Sequence, residues 1–140
     1  MLPLLDSHST VIPAGNAAAW RGVLRLVSER MSSPTAARYA RLVGCVPAIA
    51  SGPRPVEVGS TVPGFEVTAL DPQCELVLSG RHRFARYQVV FRVSEATVTT
   101  ESRAEFPGRL GGIYRVLVIG TRLHVLAVRR MLRSIAREAG

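Results

Sequence analysis

Apolar and polar residues recur along this chain in two periods, and the switch between them separates a helical front, a β middle and a helical end. At 9–13, Ser-Thr-Val-Ile-Pro reads as a short strand stopped by Pro13. Gly15-Asn16 then offers a turn, with Asn16 as the expected N-cap of a helix. From 17 to 31 the apolar residues Trp20, Val23, Leu24, Val27 and Met31 fall at helical spacing while Arg21, Arg25 and Glu29 face away, which predicts an amphipathic helix. Ser32-Ser33-Pro34 breaks that helix and starts another, with Ser33 as cap and Pro34 in the first helical position, running through Tyr39 and Leu42 to about Val43.

Between Cys45 and Gly59 the chain carries Pro47, Gly52, Pro53 and Pro55, which predicts a mobile loop. From Val62 the period becomes that of a strand, with Phe65, Val67 and Ala69 expected inward and Glu66 and Thr68 outward. Asp71-Pro72 and Ser79-Gly80 read as hairpin punctuation, with Leu76 and Leu78 on the strand between them. The longest predicted strand, 83–93, turns Ala85, Tyr87, Val89, Phe91 and Val93 inward. After a Ser94-Glu95 turn, the strand at 97–106 places Val98, Thr100, Ser102, Ala104 and Phe106 on its inner side. Glu101, Arg103 and Glu105 fall on the outer side, where opposite charges suit neighbouring strands.

Pro107-Gly108 ends the β region, and 109–137 is predicted to be one long closing helix. Arg115, Arg122, Arg129, Arg133 and Arg137 form its outer stripe. Ile113, Leu117, Gly120, His124, Ala127, Val128, Met131 and Ile135 form its inner stripe. This order of elements predicts an α+β fold in which a curved antiparallel sheet wraps a long C-terminal helix, with two short helices after the first strand. The length suits one domain over 1–140, and there is no internal repeat.

Charge changes this picture less than its size suggests. The net charge is +8, which invites nucleic acid, yet all 18 basic residues are arginine, as codon bias in a GC-rich genome would produce. They are scattered, and no RNA-binding aromatic motif accompanies them, so no specific nucleic-acid partner is expected. The apolar run 113–128 is interrupted by Arg115 and Arg122, which argues against membrane insertion, and residues 1–5 are too short for a signal segment. A cytoplasmic location is expected. Cys45 and Cys74, in apolar sequence surroundings, are expected to be buried free thiols.

At this level the chain resembles the START-like superfamily, also called SRPBCC, whose helix-grip fold is shared with the polyketide cyclases. The residues that carry the likeness are Thr10-Val-Ile-Pro-Ala14, Glu75-Leu-Val-Leu-Ser-Gly-Arg-His-Arg-Phe84 and Phe106-Pro-Gly-Arg-Leu-Gly-Gly-Ile-Tyr-Arg-Val-Leu-Val-Ile-Gly120, followed by His124 and the arginine-rich helix end. Within that superfamily the chain resembles a bacterial subgroup. The resemblance implies a cavity between sheet and C-terminal helix that takes lipid, polyketide or isoprenoid-like molecules. One departure is that the stretch from Trp20 to Pro55 lacks the tryptophan-rich segment common in many members, so the cavity mouth is expected to differ.

Catalytic chemistry is weakly signalled. Glu66, Glu101 and Glu105 fall outward, and the remaining carboxylates, Asp6 among them, are assigned to turns, a loop, a helix face and the chain ends, leaving no inward carboxylate pair. His8, His82 and His124 are too scattered for a local metal motif, and no cofactor is expected. The candidate ligand-binding set is Tyr87, Thr100, Ser102, His124, Gly120 and Leu117. His124 reads either as a buried histidine satisfied across the sheet or as a ligand group. Small Thr100 and Ser102 either leave room for a ligand or accommodate Leu117 and Met131. The expected partner is a small apolar ligand, with a homodimer allowed for. The alternatives are a polyketide cyclase-like enzyme in which His124 or Tyr87 polarises a carbonyl, and a protein-interaction module with a filled core.

Overall fold

A computed structural model describes residues 2–82, 85–106 and 123–139, with side chains for all of these except Val43, Leu123, His124, Val125, Glu138 and Ala139. The fold is mixed α+β. Strand β1 (Leu4–Val11) leads into helix α1 (Asn16–Ser28), a single 3-10 turn (Arg30–Ser32) and helix α2 (Pro34–Val43). Strands β2 (Thr61–Val62), β3 (Phe65–Asp71), β4 (Glu75–Arg81), β5 (Arg86–Ser94) and β6 (Thr97–Glu105) follow, and helix α3 (Leu123–Ala139) closes the described chain. The strands form one open antiparallel sheet in the order β1-β6-β5-β4-β3-β2, with the C-terminal helix packed on α1 and on β1 and β6, consistent with a helix-grip fold. No described helix is long and apolar enough to cross a membrane.

Local chemistry accounts for the small helices. Ser33 Oγ accepts from Ala36 N at 3.2 Å, and Pro34 occupies the first turn, where its missing N–H is harmless. Gly44 ends α2 in the left-handed conformation (φ 74°), the usual glycine stop. At α1 the expected cap is displaced by one residue. Gly15 is the N-cap, and Asn16 instead accepts from Ala96 N through Oδ1 at 2.7 Å, tying the helix start to the β5–β6 turn. The 17–31 helix also ends early, at Ser28, and only the 3-10 turn carries the chain on to Ser32.

The core lies between the inner sheet face, α1 and α3. Val23 and Val27 of α1, Leu76 and Leu78 of β4, Phe91 of β5, Val98 of β6 and Ile135 of α3 are its buried centre. Each such side chain stabilises the fold by roughly 1.5–3 kcal/mol relative to exposure. On α3 the inward residues are Val128, Leu132, Ser134 and Ile135, while Arg129, Arg133 and Arg137 are exposed. Ala127, expected inward, is exposed. The 109–122 part of the predicted helix lies outside the described residues.

Several strand readings change in three dimensions. β1 begins at Leu4, well before the expected start. A register shift between Val67 and Ala69 turns Leu70 toward the core and leaves Ala69 exposed, reversing its expected side. Ser79-Gly80 is no turn: both residues sit inside β4, paired with Gln88 and Tyr87. The proline-rich loop is tied down, with Val46 bridged to Arg81 and Ser51 to Thr61, and with Arg54 Nη2 donating to Thr61 O at 2.7 Å. Cys74, expected to be buried, is exposed at the β3–β4 turn.

Candidate functional site

Tyr87 points inward from β5 by the alternation of its strand, and its position is fixed by what faces it. Opposite on β4 stands Gly80, over which the phenol lies so closely that a Cβ there would come within 2.8 Å of Tyr87 Cε2 and 2.9 Å of its Oη. Glycine is therefore required by close approach. The hydroxyl donates to Gly64 O at 2.6 Å and lies 3.5 Å from Cys45 Sγ. Phe65 meets the ring edge-on, with centroids 5.1 Å apart at 74°, and the His82 ring is 5.5 Å away.

These residues form one end of a cavity of about 430 Å³. Ala36, Tyr39 and Ala40 of α2 supply a wall of mostly small side chains, and Met31 and Met131 supply flexible apolar ones. Pro63, Gly64 and Phe65 come from the β2–β3 hairpin, and Arg30 comes from the 3-10 turn. Burial lowers the pKa of His82 below 6.5, because a half-desolvated ring disfavours the cationic form. No carboxylate lines the cavity among the described residues, and no three metal-binding side chains cluster there or elsewhere among them. The volume falls within the usual range for small-ligand sites, and the lining is mostly apolar, with Tyr87, Cys45, His82, Tyr39 and Arg30 as its polar members. Such a surface can hold an apolar molecule and orient one polar group.

Of the candidate ligand-binding residues, Tyr87 lies on the cavity wall. Thr100 and Ser102 share its inner sheet face, Thr100 fully buried and Ser102 half-buried, but are not among the described residues that line the cavity. Gly120, Leu117 and the His124 side chain lie outside what is described. Sequence reasoning missed Cys45, His82 and Phe65, which separate elements bring to Tyr87. It also misplaced Asp6. That carboxylate faces inward from β1 with a side chain only 16% exposed, opposite Ser102, and its Oδ2 is 3.4 Å from Nε2 of His8, which itself stands opposite Thr100. The signal was the alternation of Asp6, His8, Thr10 and Ile12, which becomes legible once β1 extends back to Leu4.

Solved structures with this architecture exist. The Mll3558 protein of Rhizobium loti superposes with a TM-score of 0.51 at 14% identity, covering 96% of this chain and 93% of that one. DynU16, described as a putative protein in the dynemicin biosynthetic locus, superposes with a TM-score of 0.53 at 17% identity. That match covers 94% of this chain and 45% of DynU16, so the chain spans under half of that protein's length. At these identities the likeness establishes the fold. No protein-family model and no curated protein sequence matches the chain.

Proposed function

We propose that this chain is one START-like domain that binds a small apolar or amphipathic molecule in the cavity beside Tyr87. The observation that carries the reading is the mostly apolar hollow of about 430 Å³, with Tyr87, Cys45 and His82 grouped together on its wall. The whole-length match to Mll3558 supports a single domain, and the occurrence of DynU16 in a biosynthetic locus is in keeping with a natural-product or lipid-like ligand. Binding is preferred to a cyclase-like reaction as the role of Tyr87, because its hydroxyl proton is already engaged by Gly64 O at 2.6 Å.

Uptake of Nile red, a neutral apolar dye, tests this reading. The parent protein is expected to bind the dye and enhance its fluorescence. Ala36→Phe, which projects a ring from α2 into the hollow, is expected to abolish uptake with little change in thermal unfolding, since Ala36 is only partly buried. Equal uptake by Ala36→Phe, or no uptake by the parent, would overturn the proposal.

A further inference from the structure

Next to the apolar cavity, and sharing Arg30 and Met131 with it, runs a groove of about 910 Å³ between the end of α1 and α3. Its floor is apolar, with Leu26, Ala127 and Ala136 alongside Met131. Its remaining lining is cationic: Arg30 from the 3-10 turn, and Arg130, Arg133 and Arg137 from successive turns of α3. No carboxylate lines it among the described residues, and Arg130, Arg133 and Arg137 make no ion pair among them. Ser134 stands amid these arginines. It is 5% exposed, and its Oγ has no hydrogen-bond partner among the described residues. A helical serine ordinarily donates to a carbonyl on the preceding turn, so this hydroxyl is a buried donor that the described residues leave unused.

We infer that this groove binds the phosphate or diphosphate of an amphipathic ligand whose apolar part occupies the adjoining cavity. The inference rests on the proposed ligand-binding reading and adds the chemistry of the head group. Guanidinium forks match oxyanions in pairs of hydrogen bonds, and several forks around one site exceed what the two oxygens of a carboxylate can accept. A phosphoryl group offers enough oxygens for them. Arg137, in the last turn of α3, also complements the negative end of the helix dipole, so the recognition falls chiefly on Arg130, Arg133 and Ser134.

Isothermal titration with dodecyl phosphate, dodecanol and inorganic diphosphate, all below micelle formation, tests this. Dodecyl phosphate is expected to bind at least about tenfold tighter than dodecanol, a factor within reach of one charge-assisted contact. Arg130→Gln and Arg133→Gln should each remove most of that difference, and Ser134→Ala part of it, with dodecanol binding unchanged in all three. Arg129→Gln, which removes the same charge from the same helix outside the groove, should leave it intact. Equal binding of dodecanol and dodecyl phosphate, or an equal loss in Arg129→Gln, overturns the inference. A failure of Nile red uptake with retained diphosphate binding would sink the cavity reading alone.

Sedimentation with vesicles of equimolar phosphatidylcholine and phosphatidic acid distinguishes the sources of the phosphate. Pelleting that needs Arg130 and Arg133 but not Arg129 supports the site with a bilayer lipid as its source. Binding of dodecyl phosphate without pelleting supports the site with a free amphipath. An oligonucleotide that binds through Arg130 and Arg133 more tightly than dodecyl phosphate overturns the amphipath assignment.

Discussion

The two faces of the sheet treat polar side chains in opposite ways. On the outer face they pair with one another. Arg92 bridges Glu75 and Glu101, Arg103 reaches Glu101 at 3.2 Å, and Ser79 joins Thr68 and Gln88. On the inner face, Thr100 Oγ1 is fully buried with no hydrogen-bond partner among the described residues, where His8 Nε2 has Asp6 at 3.4 Å and no hydrogen bond. Arg92 and Glu75 border water, which serves any partner left over, so their pair adds little stability. The inner groups lack that resort, and each unpartnered one lowers stability. The inner face thus holds hydrogen-bonding capacity that the described residues do not use.

The largest expected effect comes from disturbing the inner face where it is most tightly packed. Gly80→Ala would drive a methyl into Gly64 O and the Tyr87 ring, and backbone on one side with a wedged ring on the other leaves little room to yield. Overpacking of this kind costs about 1–3 kcal/mol. Urea unfolding measures the loss, and Nile red uptake should fall with it as Tyr87 moves off Gly64. A variant as stable as the parent would show that the close approach is not a constraint.

A smaller pair of substitutions sets one face against the other. Thr100→Val deletes the unpartnered inner hydroxyl at nearly constant volume and is expected to raise stability by roughly 1 kcal/mol. Arg92→Gln breaks the outer ion pairs and is expected to lower stability by less than about 1 kcal/mol, with the difference shrinking in high salt. Urea titrations of both, at low and high salt, read the comparison directly. Destabilisation by Thr100→Val would mean that the hydroxyl has a partner in solution and that the contrast between the faces fails.

What the sequence disclosed followed the reach of each cause. Ser33, Pro34 and Gly44 act within a turn of their own position, and the limits of α2 were readable from them. The alternation of β5 and β6 gave the inward set Tyr87, Phe91, Val98 and Thr100, because strand parity is local once the strand is recognised. The sense of Asp6 and His8 depended on pairing β1 with β6, more than ninety residues away. The register shift near Ala69 and the glycine at position 80 belong to the same class: each is set by a partner strand or a distant side chain, and neither leaves a periodic mark. The cavity is similar. Tyr87 was found by parity, whereas Cys45, Phe65 and His82 reach it from a loop, a hairpin and a strand end, as only the fold could show.

The smallest effect expected is the pH dependence contributed by His82. Burial lowers its folded-state pKa below 6.5, whereas the unfolded chain titrates near that value. Above 6.5 both states hold the ring neutral, and its contribution to stability is fully present. As pH falls below 6.5 the unfolded state takes up the proton first, so stability declines until the folded-state pKa is passed. The ring is only half-buried, so the slope is shallow. Unfolding free energies collected across this window for the parent and for His82→Gln isolate it, because the other groups are common to both proteins. The parent should lose stability relative to the variant as the pH is lowered. A constant difference between the two would show that His82 is as solvated in the folded protein as in the unfolded chain, and would remove it from the cavity wall.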